Sequence, residues 1–74
     1  VGDVVIKNNL KKLRKDSDMS QETLANKIGV SRQAIISIEN YKYTPSLSLA
    51  FKLSKIFGVT IENIFIDDGS ENIK

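Results

Sequence analysis

Hydrophobic positions in this chain recur at helical spacing over most of its length. Leu10 and Leu13 mark one face of a first helix over Asn9 to Lys15, with Arg14 beside them, and Asp16-Ser17-Asp18 breaks it. Three further helix starts share one device. A Ser or Thr hydroxyl can accept from an orphan amide of the first turn, and an apolar pair closes over it. The pairs are Met19 and Leu24 around Ser20, Val30 and Ile35 around Ser31, and Val59 and Ile64 around Thr60. They predict helices over Gln21 to Ile28, Arg32 to Asn40 and Ile61 to Phe65. A longer helix, Leu47 to Phe57, lies between the last two. It is capped by Ser46, or by Thr44 with Pro45 in the first turn, and Gly58 ends it in a left-handed conformation. Five short helices with tight connections imply a compact all-α bundle. Val4-Val5-Ile6 and Ile64-Phe65-Ile66 are β-prone; they either pair as a small two-stranded ribbon or flank the helices.

The chain has 74 residues, 41% of them hydrophobic, enough for one domain with a small core. The division expected is a flank or short strand at 1–5, the domain at 6–66 and a polar tail at 67–74. A domain this size buries only about 60% of its unfolded surface, so a second copy would add stability. There is no Cys and no His. That excludes disulfides, thiolate metal sites, a cysteine nucleophile and the usual general base. Asp67 and Asp68 lack the spaced ligand loop that calcium needs and read as a solvated end. No enzyme activity, metal or cofactor is therefore expected. No run approaches the roughly 20 apolar residues of a membrane span, so no membrane partner is expected. Net charge is +2, placed unevenly. Residues 1–20 hold five basic and three acidic groups, 21–43 three and two, and 44–74 three and four. The excess positive charge lies in the first 43 residues, a weak pointer to a polyanion.

The informative stretch is Gln21 to Asn40, QETLANKIGVSRQAIISIEN. Leu24 and Ile28 give the first helix apolar residues one turn apart. Ala25 is small enough for a second helix to cross closely. Gly29 tolerates positive φ in the turn and Val30 plugs it. Ile35 and Ile38 give the second helix an inward face. Together these positions fit a helix-turn-helix. A plain helical hairpin explains the apolar positions equally well, but not the outward face.

That face carries Arg32, Gln33, Ile36, Ser37 and Asn40. Arg32 and Gln33 sit at the end that would enter a DNA major groove. Arg can fork onto guanine N7 and O6, and Gln onto adenine N6 and N7. Ser37 lies one turn on, and Ile36, exposed by this periodicity, suits a thymine methyl. Phosphate anchors are the free amides at Gln21, with the helix dipole behind them, and Asn40, Lys42 and Tyr43 past the reading helix. Arg14 and Glu39 either meet as a partly shielded bidentate pair, leaving Arg14 donors for a phosphate, or are two surface charges.

These residues strongly resemble the Xre family, the Cro and phage-repressor type of helix-turn-helix domain, from about Ile6 to Ile66. The segments that carry the likeness are Leu10-Lys11-Lys12-Leu13-Arg14, Met19 to Ala25, Ile28 to Gln33, Ile38-Glu39-Asn40, Pro45-Ser46-Leu47 and Phe57-Gly58-Val59. The resemblance implies a five-helix, lambda-repressor-like fold, cytoplasmic transcription control, and a homodimer on a near-palindromic operator of double-stranded DNA. It maps base readers onto Arg32, Gln33 and Ser37, phosphate contacts onto Gln21, Asn40 and Lys42, and an Arg14 bridge onto Glu39. In its short members helix five supplies the dimer contact, here Ile61, Ile64 and Phe65. An antitoxin with a toxin or regulatory protein as partner is the alternative. One departure stands out: the family often has Gly after the Asn ending the reading helix, and this chain has Tyr41. Either Tyr41 takes positive φ, at a cost of about 1–2 kcal/mol, or Asn40 does.

Overall fold

The computed structural model describes residues 6–67. The order is β1 (Ile6–Asn8), α1 (Leu10–Asp16), α2 (Gln21–Ile28), α3 (Arg32–Glu39), α4 (Leu47–Phe57), α5 (Ile61–Ile64) and β2 (Phe65–Asp67). Among the described residues no helix is long and apolar enough to cross a membrane.

Local chemistry sets most helix starts. Ser20, Ser31, Ser46 and Thr60 sit in extended backbone, and each hydroxyl accepts from the amide three residues on, at 3.0, 3.1, 3.2 and 3.2 Å. Each cap stabilises by about 1 kcal/mol. The cap of α4 is thus Ser46, not Thr44. At α1 the arrangement differs. Asn9 holds the cap position but its side chain caps nothing; the Leu10 amide donates to Asn8 Oδ1 at 3.0 Å. The helix starts one residue later than expected and includes Asp16, because the Ser17 amide still reaches Leu13 O at 3.1 Å. The break comes at Asp18, with φ 57°.

Gly29 and Gly58 end α2 and α4 at φ 77° and 65°. A Cβ at either would meet nothing within 4 Å, so the backbone angle alone asks for glycine. At the end of α3 a tyrosine does this work. Asn40 caps at φ −91° and Tyr41 takes φ 63°. The Tyr41 amide donates to Ile38 O at 3.0 Å and the Lys42 amide to Ser37 O at 2.9 Å. These two bonds are a Schellman motif with a side chain where glycine is usual.

The core is one cluster: Leu10, Leu24, Ala25, Ile28, Ile35, Ile38, Leu49, Leu53 and Ile64. Met19, Val30 and Val59, the outer members of the three apolar pairs, pack against its edge. The termini of the described chain close it. β1 and β2 pair antiparallel, Ile6 with Asp67, Lys7 with Ile66 and Asn8 with Phe65. The ribbon is shifted from the segments expected to form it. Ile64 belongs to α5, Phe65 leaves the helix for the strand, Asp67 is the last residue of that strand, and Val4, Val5 and Asp68 lie outside the described residues. The Asn9 amide takes the Ile64 carbonyl at 2.8 Å, which draws the chain out of helix at that point. A four-residue helix has too few bonds of its own to resist.

Tyr41→Gly is expected to raise stability. Relief of about 1–2 kcal/mol of left-handed strain exceeds the roughly 0.4–1 kcal/mol that glycine adds to unfolded-chain entropy. Urea unfolding checks this: a lower midpoint would mean that the half-exposed ring over α1 outweighs the strain.

Candidate nucleic-acid interface

The site is built by α2, the Gly29–Ser31 turn and α3. Ile35 and Ile38, both fully buried, hold α3 to the core. That fixes which residues point away. Arg32 and Gln33 are exposed at its first turn, and no acidic residue shares that turn. Ser37 is half-buried. Ile36 departs from expectation: it is half-buried rather than exposed, yet it is not among the residues packed on the core. Past the helix, Asn40, Lys42 and Tyr43 are exposed on the turn shaped by Tyr41.

Beneath this face lies a charged hub. Arg14 and Glu39 are 7% and 9% exposed. Arg14 Nε donates to Glu39 Oε2 at 2.7 Å and Nη2 to Oε1 at 3.3 Å. The pair is therefore bidentate and shielded, not two surface charges. Arg14 Nη1 donates to Met19 O at 2.8 Å, leaving two guanidinium N–H groups. Gln21 Nε2 also donates to Glu39 Oε1, at 3.1 Å. Sequence reasoning missed this bond, because residues 18 apart give no periodic signal. It engages one Nε2 donor of Gln21, and the Thr23 amide at that end is taken by the Ser20 cap. An open cleft lined by Arg14, Ser20, Gln21, Glu22 and Arg32 runs from the hub to the first turn of α3.

The expected dimer residues divide. Ile64 is fully buried in the protomer's own core and is no contact surface; it is the inner half of the apolar pair over Thr60. Ile61 and Phe65 are half-buried and line an apolar groove with Ile6, Pro45, Leu47 and Ala50. Leu47 and Phe51 are exposed large hydrophobics, at 67% and 51%. The signal for them was present. α4 carries apolar residues on more faces than one core can cover.

The helix-turn-helix family model matches residues 10–64. The chain belongs to the helix-turn-helix family. The chain carries an Xre-type helix-turn-helix domain. It is 58% identical over 66 residues to the uncharacterized HTH-type transcriptional regulator MJ0272 of Methanocaldococcus jannaschii, covering 89% of this chain and 100% of that protein. It is 34% identical over 64 residues to the cryptic phage CTXphi transcriptional repressor RstR of Vibrio cholerae, covering 86% of this chain but 57% of the repressor. Among solved structures, the restriction-modification controller protein C.AhdI of Aeromonas hydrophila is similar with a TM-score of 0.67 and 29% identity, over 74% of this chain and 80% of that one.

Glu39→Ala is expected to destabilise this helix-turn-helix domain by about 3–5 kcal/mol, since it leaves the Arg14 charge buried and unpaired. Replacing both partners with apolar residues of similar volume should recover most of the loss. Thermal unfolding of the three variants decides it. A single-variant loss below about 1 kcal/mol would assign the pair to the surface class.

Proposed function

We propose that this chain is a sequence-specific repressor that binds a near-palindromic operator as a homodimer, with α3 in the major groove. The observation that carries this is the division of α3: Ile35 and Ile38 sealed in the core, Arg32 and Gln33 exposed together at its first turn. Arg32, Gln33 and Ser37 read base edges, and Ile36 meets a thymine methyl with the part of its side chain that is uncovered. The α2 amides at Gln21 and the two spare Arg14 donors hold one phosphate stretch. Asn40, Lys42 and Tyr43 hold another. The partner protomer covers the groove at Ile61 and Phe65, and two-fold symmetry then sets the reading helices about 34–36 Å apart, one DNA turn. The likeness to RstR supports repression as the direction of control.

Selection of bound DNA from a random pool tests the reading. Enrichment of an inverted repeat with half-sites about 10 base pairs apart is expected. Recovery without a shared motif would defeat it.

On the selected operator, Arg32→Ala should cost roughly 1–3 kcal/mol and relax preference at one base pair. Lys42→Ala should weaken all sequences about equally and lower the salt slope by about one. Binding titrations across salt separate the two roles; a Lys42→Ala loss confined to one sequence would contradict its assignment.

A further inference from the structure

Asn8, the last residue of β1, is buried, at 9% exposure. Strand pairing holds it opposite Phe65. Its side-chain amide is used at both ends. Oδ1 accepts the Leu10 amide at 3.0 Å, and Nδ2 donates to Ile38 O at 2.8 Å, 30 residues along the chain. Ile38 O lies in the last turn of α3, and it is also the carbonyl that accepts the Tyr41 amide. A carbonyl oxygen has two lone pairs, so it can serve both donors.

The turn served by that carbonyl is strained. Tyr41 holds a left-handed angle that favours glycine, and only two amide bonds, at Tyr41 and Lys42, close the turn. A strained segment persists where its surroundings over-determine it. Asn8 supplies the outside constraint. Tyr41 also borders an open cleft that Asn8, Asn9 and Lys11 line.

We propose that Asn8 is a positioning residue: it clamps the last turn of α3 to the terminal ribbon and so fixes the pose of the Asn40–Lys42 turn relative to Arg32 and Gln33. Its role in DNA binding rests on the reading of that turn as a phosphate grip. The clamp sets the distance between grip and readers. It also ties the grip to the ribbon, whose Ile6 and Phe65 line the apolar groove on another face.

The test is amide hydrogen exchange in the free protein, followed by DNA titration. Asn8→Asp keeps an acceptor for the Leu10 amide but turns an oxygen toward Ile38 O. Asn8→Ala, measured in parallel, removes the donor without adding charge. Exchange at Tyr41 and Lys42 should quicken about tenfold relative to the Gly29 and Val30 amides, the scale of one lost hydrogen bond. Equal quickening at all four amides, or none at Tyr41 and Lys42, overturns the clamp. On DNA, the loss caused by Lys42→Ala should shrink or vanish in the Asn8→Asp background; simple additivity overturns the positioning role. Should the wild-type chain select no DNA sequence, the functional reading fails, while the exchange result still decides whether Asn8 holds the turn.

Discussion

The burial of Ile35 and Ile38 against Leu24 and Ala25 is the contact on which the rest of the molecule depends. An isolated eight-residue helix is not stable in water, so α3 exists because its apolar stripe is covered. The same stripe fixes its rotation about its own axis. With two isoleucines three residues apart buried, Arg32 and Gln33 are left exposed. Their exposure is thus a consequence of core packing. On the proposed reading, a change that loosens Ile35 or Ile38 would disturb recognition without touching Arg32 or Gln33.

Glu39 applies a second constraint at the other end of the same helix. Its carboxylate accepts from Arg14 twice and from Gln21 once. A buried pair of this kind adds little net stability over apolar packing, because desolvation offsets the attraction. What it does add is alignment among α1, α2 and α3, three elements that share a single carboxylate. It also leaves Arg14 without a free charge. On the proposed reading, Arg14 would offer directed N–H groups to a phosphate, while net attraction to the DNA backbone would fall to Arg32, Lys42 and the dipole of α2.

What was legible in the sequence is what short-range chemistry decides. Three caps with their apolar pairs, the glycine that ends α2 and the glycine that ends α4 all depend on residues within about five positions, and each stands where the spacing put it. The Arg14–Glu39 pair was open on spacing alone, since separation along two helices does not give burial. Three things were hidden because they join distant segments: the Gln21–Glu39 bond, the Asn8–Ile38 bond and the true register of the ribbon. Ile64 was misplaced for a related reason. A residue that staples a helix start faces the core, so the pattern that predicted α5 already argued against Ile64 as a contact with another molecule.

The apolar groove and the exposed end of α4 bear on how small this core is. Six large side chains are fully buried among the described residues, while Leu47 and Phe51 stand in water on the outer face of α4. Large exposed hydrophobes beside an apolar groove are costly to leave wet, and single scattered ones are ordinary; these two are one turn apart and Leu47 borders the groove itself. Lys52 and Lys55 lie along the same surface, so two copies stacked directly α4 on α4 would set like charges together. In the homodimer proposed above, a partner shifted toward Ile61 and Phe65 meets an uncharged lining instead. The charge on α4 would then select the geometry of pairing, and the apolar area would supply its strength.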